Sequence, residues 1–290
     1  MGETPVAKRS IVITGCSSGI GRRATEMLSE RGYRVLATAR KAEDLDRLEA
    51  DGFEALALDL NDPASVAALA DEVLLRTDGN VYGLFNNGAY GQPGAVEDLS
   101  RDVLRTQLET NVLGWHDLTC RLLPAMRSNR AGRIIQNSSL LGLMALHYRG
   151  AYTASKFAIE GLTDTLRLEL SGTGIHVSLI EPGPVSSRFR ENAYAAFKAN
   201  IDPSKSAHRD IYRRVEQRLE TDDSSVPFTL PADSVVKKVI HALESKRPRA
   251  RYYVTVPTYV LGYLRRILST RQLDRVLRAI YRAEIRPGSK

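Results

Sequence analysis

Residues 10–31 constrain the fold more tightly than any other stretch. SIVITG (10–15) is a continuous apolar, β-branched run, the pattern of a parallel strand buried on both faces. It breaks into TGCSSGIG (14–21) and then a helical segment to about Arg31. A strand, a glycine-rich turn and a helix N-terminus in that order make an anion site, because free backbone N–H groups and the helix dipole face a diphosphate. Gly15, Gly19 and Gly21 stand at G-x-x-x-G-x-G and allow a tight turn and close backbone approach, with Ser17, Ser18 and Ile20 completing it. Further strands are predicted at 33–41, 53–62, 81–91, 133–139 and 175–185, separated by segments of helical period. Strands alternating with helices at this length predict an α/β fold: a right-handed, doubly wound parallel sheet, Rossmann-like, in a single domain with a C-terminal helical extension. Ligands of such sheets sit beyond the carboxyl ends of the strands, where the glycine turn, Asn86-Asn87, Ser139 and Pro182-Gly183 all fall.

Charge is unevenly spread along the 290 residues. Residues 236–290 carry fourteen Lys/Arg against three Asp/Glu, a net of +11; since the whole chain is +7, the rest is −4. A mildly acidic body with a basic tail argues against nucleic acid as the main partner. Cys16 and Cys120 have neither metal-ligand spacing nor a disulfide framework, so no metal site is expected and a reduced cytoplasmic setting fits. The first residues run into a strand without a signal-peptide pattern, and Val6 stands where a myristoylation motif needs Ser or Thr.

The residues with chemistry to offer lie at the strand ends. At the end of the second strand, an acidic residue would take a ribose 2′-hydroxyl; here Arg40 and Lys41 follow Thr38 and Ala39. A guanidinium suits a 2′-phosphate, which favours NADP(H) over NAD(H). Asp59-Leu60 ends the third strand beside the expected adenine position, and Asp62-Pro63 caps and starts the next helix. A long periodic helix is expected from about Arg101 to Met126; Asn111 inside it requires a polar partner. Tyr152 and Lys156 are four apart at the head of a helix expected over 152–171, so their side chains share a face. A phenol has a pKa of about 10. A neighbouring ammonium lowers it toward an acid/base that exchanges protons with an alcohol or carbonyl oxygen. Ser139, at the end of RIIQNSS, is placed to hold that oxygen.

Taken together, Thr14-Gly15-x-x-x-Gly19-Ile20-Gly21, Asn111, Ser139, Tyr152-x-x-x-Lys156 and Pro182-Gly183 resemble the short-chain dehydrogenase/reductase superfamily over roughly residues 8–190. TGCSSGIG and EPGPV are similar to its NADP-linked group around 17β-hydroxysteroid and retinol dehydrogenases and bacterial aldehyde reductases. The resemblance implies that Tyr152 gives or takes the proton, Lys156 lowers its pKa and binds the nicotinamide ribose, Ser139 orients the substrate oxygen, and Asn111 serves a water-linked proton relay. It further implies that Ser17 and Arg40 meet the 2′-phosphate, Asp59 the adenine, and Val185 with Ser187 the carboxamide; Leu60, Asn87, Gly88, Pro182 and Gly183 border the cofactor. One departure stands out: Asn86-Asn87-Gly88-Ala89 reverses the family's usual Ala-Gly order.

Residues 8–187 thus form the expected cofactor and catalytic core, 188–232 a substrate lid and 233–290 a basic amphipathic extension. The lid aromatics Phe189, Tyr194, Phe197, Tyr212 and Phe228 either line an apolar pocket or pack the lid on the body. Leu141, Leu143, Met144, Leu146 and Tyr148 add an apolar side. An extended hydrophobic carbonyl or alcohol is favoured over a sugar, with carbonyl reduction the expected direction. In the amphipathic, basic segment 252–286, the run Val254 to Leu264 is too short and too soon charged to span a bilayer; the segment either lies on an anionic membrane or packs on the body. The helices at 101–126 and 152–171 either pair across a two-fold axis in a homo-oligomer or pack internally. Two rival functions remain: a nucleotide-sugar epimerase or dehydratase, and a non-catalytic nucleotide-sensing or membrane-associated protein.

Overall fold

The computed structural model describes residues 9–220 and 227–284. Parts of the expected lid (221–226) and tail (285–290) lie outside them, as do residues 1–8. Seven strands, β1 (Ser10–Ile13), β2 (Arg34–Ala39), β3 (Glu54–Ala57), β4 (Val81–Asn86), β5 (Gly132–Asn137), β6 (Ile175–Glu181) and β7 (Arg251–Tyr253), form one sheet in the order β3-β2-β1-β4-β5-β6-β7. Every pair is parallel. β1 is an interior strand between β2 and β4 with all four residues buried, which is why its sequence is continuously apolar.

Alternate side chains of β1 feed opposite layers. Ile11 and Ile13 pack with Ala24 and Leu28 of α1 (Gly19–Glu30), Leu48 of α2 (Ala42–Ala50) and Val235, Val239 and Leu243 of α9 (Asp233–Glu244). Val12 faces Leu69 and Val73 of α3 (Pro63–Thr77) and Leu118 and Leu122 of α5 (Gly114–Ser128). Asp62 caps α3 through Ala64 N–H at 2.9 Å, with Pro63 as first helical residue, as its sequence requires. α6 (Gly150–Glu169) lies against β6 and begins two residues before Tyr152.

Three expectations need correction. The strands end earlier than their apolar runs, so Gly15, Asp59, Asn87, Ser139 and Pro182 all lie past their strands, in loops. The helix expected over 101–126 is α4 (Arg101–Leu108) and α5, with one π turn at Glu109–Leu113 between them. The wider turn buries Asn111 and points it at Tyr90 rather than along the helix, as π bulges at functional sites commonly do. Finally, Arg251–Tyr253 is not the start of an amphipathic tail but the seventh strand, paired to Leu179–Glu181. The helices α7 (Phe189–Asn200), α8 (Arg209–Glu220), α10 (Val256–Ile267) and α11 (Thr270–Glu284) pack over the carboxyl edge.

Arg251 ties that last strand to the body. Its guanidinium meets Glu160, Glu181 (Oε1 at 2.6 Å) and Asp164 (Oδ2 at 2.6 Å). Burial pushes the carboxyls of Glu181 and Glu160 upward, and the Arg251 guanidinium pulls both partly back. An Arg251→Met variant strands these carboxylates without a cation and should lose about 3 kcal/mol or more in urea unfolding at neutral pH. A carboxyl with a raised folded pKa costs stability from its ordinary value of 4.5 upward, the loss growing until the folded value is passed, so the deficit should shrink on acidification to about pH 5. An unchanged unfolding midpoint would contradict this role.

Candidate active site

The glycine turn is built by the absence of side chains. Gly15 has φ +73°, and a Cβ there would lie 2.6 Å from Gly88 Cα; one on Gly21 would lie 2.1 Å from the Gly15 carbonyl oxygen. Gly19, φ +57°, would meet Ser187 Cβ at 3.0 Å, so the loop after β6 closes against the turn. Ser18 precedes α1 in an extended conformation and its side chain makes no cap bond. The glycines let the turn pack directly on Gly88 and Ser187, and the first N–H groups of α1 have no side-chain cap, which suits a diphosphate. Gly88 carries the reversed Gly/Ala order into this contact: a Cβ on it would sit 3.2 Å from Gly15 N and from Leu60 Cδ1.

Hydrogen bonds connect this turn to the neighbouring loops. Thr14 Oγ1 accepts from Asn87 N–H and Gly88 N–H, both at 2.8 Å, and Asn87 Nδ2 donates to the Thr14 carbonyl at 2.9 Å. Asn137 Nδ2 donates to Asn87 Oδ1 at 2.9 Å, and the Asn137 carbonyl accepts from Lys156 Nζ at 2.6 Å. Lys156 is thereby joined to the glycine turn through two asparagines. Asn86 does not share in this; it donates to Thr119 Oγ1 at 3.0 Å.

Tyr152, Ser139 and Lys156 meet where β5, α6 and the loop after β6 converge. The Tyr152 phenol lies beside Ser139, whose hydroxyl favours its charged form. Ser139 Oγ accepts from Leu141 N–H at 3.1 Å, and the Pro182 carbonyl accepts from Leu140 N–H at 2.7 Å, which fixes the serine's loop. Lys156 is 1% exposed, with Nζ 4.4 Å from the Trp115 ring and 5.5 Å from the Tyr152 ring. Asn111 Oδ1 accepts from Tyr90 N–H at 3.1 Å; its Nδ2 donates to the Tyr90 carbonyl at 2.9 Å and to Ser155 Oγ at 3.1 Å. Ser155 in turn donates to the Tyr152 carbonyl at 2.7 Å, so the π turn reaches the tyrosine through one hydroxyl. Phe189 of α7 stands edge-on to Tyr152, ring centroids 5.1 Å apart, and fills the space that a side chain at Gly91 would take.

The expectation that Lys156 makes the Tyr152 phenol acidic is not met in the protein by itself. Burial raises the phenol above its usual value, only partly offset by the Ser139 hydroxyl. Burial also pulls the Lys156 amine down to about 7, against a smaller opposing pull from Glu160. Desolvation wins because the ammonium points at the Asn137 carbonyl and the Trp115 face rather than at the phenol oxygen.

The other expected residues fall at the same edge with looser ties. Arg40 directly follows β2 and is exposed; Asp59 Oδ1 accepts from Asn61 N–H at 3.0 Å in a local turn. Val185 bridges to Leu230, and Ser187 Oγ donates to the Val185 carbonyl at 3.4 Å. Of the lid aromatics, Phe197 and Tyr212 are buried with Ala95 and Ile201, Phe228 is exposed, and Phe189 faces the tyrosine. Met144 and Leu146 do not line an open pocket: with Leu140 they are covered by Leu261 of α10 and Leu277 of α11. Sequence reading missed Asn137, Trp115, Thr14 as an acceptor and Ser155, whose contacts depend on the packing of separate elements.

Comparison with known proteins decides the class. The family model described as short chain dehydrogenase matches residues 9–198. The chain belongs to the short-chain dehydrogenase family. This dehydrogenase is 41% identical over 272 residues to "Uncharacterized oxidoreductase YbbO" of Escherichia coli, covering 94% of this chain and 95% of that one. It is 33% identical to mouse "Retinol dehydrogenase 5", covering 94% and 89%. A Burkholderia phymatum short-chain dehydrogenase/reductase solved with NAD has a TM-score of 0.73 and 26% identity, covering 91% and 94%. Another family member, also 26% identical, was solved with NADP, so the family's solved structures hold either dinucleotide.

The Lys156 shift makes stability depend on pH in a set direction. Between its folded value of about 7 and the usual 10.5, the unfolded chain binds a proton that the folded chain has released, so stability rises with pH. Without added cofactor, the wild type should gain up to about 1.4 kcal/mol per pH unit over Lys156→Met in this window. Thermal melting of both proteins from pH 7 to 9 checks this, and parallel curves would contradict it.

Proposed function

We propose that this dehydrogenase interconverts a carbonyl and an alcohol on a hydrophobic substrate, with NADP(H) as its dinucleotide. The observation that carries the reading is Tyr152 beside Ser139 and a buried Lys156, which is joined through Asn137 and Asn87 to the Gly15–Gly21 turn. When bound, the dinucleotide supplies or accepts the hydride. The backbone of Gly15, Ser17, Ser18, Gly19, Ile20 and Gly21 would hold its diphosphate. Ser17 and Arg40 would take a 2′-phosphate, and no acidic side chain ends β2 to favour a bare hydroxyl. Asp59, Leu60, Asn87 and Gly88 would border the adenine half, with Pro182, Gly183, Val185 and Ser187 on the nicotinamide side.

The residues' parts in the reaction follow from their contacts. Ser139 donates to the substrate oxygen and stabilises its growing charge. In reduction Tyr152 gives its phenolic proton to that oxygen, and in oxidation it receives it. Lys156, held by Asn137, would answer the negative charge left on the phenol and would hold the ribose of a bound dinucleotide. Asn111 fixes the backbone of Tyr152 through Ser155 and stands where a water-linked relay would return the proton. Phe189 over Tyr152 gives the substrate side an apolar wall and restricts water. This wall, and the name retinol dehydrogenase on a relative, support a hydrophobic aldehyde, ketone or alcohol over a sugar. Residues 188–232 serve as the lid, and exposed Leu113, Leu162 and Leu168 on the α5 and α6 side suit a homo-oligomer.

Absorbance of NADPH against a panel of aldehydes, ketones and steroids tests the reading. Wild-type protein should oxidise NADPH faster than NADH with at least one apolar carbonyl. Tyr152→Phe should bind NADPH almost normally and lose about 10² or more in turnover. A Tyr152→Phe enzyme of wild-type rate would sink the assignment, as would a wild type inert toward the whole panel.

A further inference from the structure

The basic C-terminal segment divides its work between two helices. α11 is amphipathic, and its apolar side is already used: Leu273, Val276, Leu277 and Ile280 pack on Leu140, Met144 and Leu146. Arg271, Arg275, Arg278 and Arg282 are exposed on its other side. α10 does the reverse. Leu261 and Gly262 are buried toward the body, while Val256, Tyr259, Val260, Tyr263 and Ile267 are between 40% and 78% exposed. At about 100° per residue these five fall within an arc of about 100°. They are five of the thirteen large apolar side chains exposed among the described residues, gathered on one helix. Single exposed apolar residues are ordinary, but a continuous stripe marks an interaction site.

The stripe runs into a basic, tyrosine-lined pocket of about 200 Å³ formed by Lys238, Arg249, Arg251, Tyr253, Tyr259, Tyr263 and Arg266, among others. Arg251 is committed to Glu160, Asp164 and Glu181. Lys238, Arg249 and Arg266 form no ion pair among the described residues. Apolar and tyrosyl side chains beside free cations are the composition of a surface that seats in the headgroup region of a negatively charged bilayer. A second copy of the chain is disfavoured, because a two-fold contact through this face would set the same cations against each other. No described helix is long and apolar enough to cross a membrane, so the contact is peripheral.

We infer that the outer face of α10, with the adjoining basic pocket, docks on an anionic lipid surface. The opposite side of the same helix backs the loop of Ser139, and Thr255 at its start leaves no room for a Cβ on Gly183. Docking therefore places the bilayer near the proposed site for a lipid-soluble carbonyl, although the contact stands independently of that reading.

Cosedimentation of the full chain with vesicles tests this without reference to turnover. Vesicles of phosphatidylcholine with about 30 mol % phosphatidylserine should bind at least about tenfold more tightly than pure phosphatidylcholine, and added salt should release the protein. Val260→Glu with Ile267→Glu should weaken that binding at least about tenfold while leaving the melting temperature near wild type. Lys238→Glu with Arg266→Glu should weaken it and flatten its salt dependence. Millimolar glycerophosphoserine should not displace the protein, since a single headgroup lacks the apolar contact. Absence of binding to anionic vesicles, equal binding by the variants, or displacement by the soluble headgroup would overturn the proposal. So would a wild-type dimer that Val260→Glu with Ile267→Glu dissociates while vesicle binding is absent.

Discussion

The hydrogen bond from Lys156 to the Asn137 carbonyl is the constraint on which the rest of this structure depends. A long amine is buried at the carboxyl edge of the sheet, and burial of an amine is costly unless its protons are held. The acceptor is a backbone atom at the end of β5, and the Asn137 side chain passes the connection to Asn87 and so to Thr14 and the glycine turn. The helix carrying Tyr152 and the Gly15–Gly21 turn are thus parts of one bonded unit. Displacing either would strand buried polar groups, which is how a sheet edge made of separate loops holds a fixed geometry.

The C-terminal helices act on the same edge from outside. Strand β7 anchors them through Arg251, and α10 and α11 then cover the loop between Ser139 and Tyr152 with a small apolar core. Loops that carry chemistry need such support, since their own backbone bonds are few. Helices α7 and α8 support the other side: Tyr212 Oη accepts from Ala95 N–H at 2.8 Å and bonds to Asp98, while Phe189 reaches Tyr152.

Much of this was legible in the chain because the informative residues had no local alternative. A continuous β-branched run such as Ile11–Ile13 suits a strand buried on both faces, and glycines at 15, 19 and 21 suit a tight turn that packs closely on its neighbours. Other features depended on contacts between distant segments. The π turn at Asn111 arises from its bonds to Tyr90, and no local pattern in RTQLETNVLGW marks it. Strand β7 is three residues long and directly precedes a strongly helical run, so its pairing with Leu179–Glu181 was hidden. The direction of the Tyr152 shift was read wrongly for a related reason: the spacing of Tyr152 and Lys156 shows their proximity but not where the amine points.

A crystal structure with NADP⁺ and an apolar alcohol tests the central claim most directly. The account predicts the diphosphate on the N–H groups of residues 19–21, the 2′-phosphate at Arg40, and the alcohol oxygen within hydrogen-bond distance of both Ser139 and Tyr152. A diphosphate bound away from the Gly15–Gly21 turn, or an alcohol oxygen out of reach of Tyr152, would contradict it.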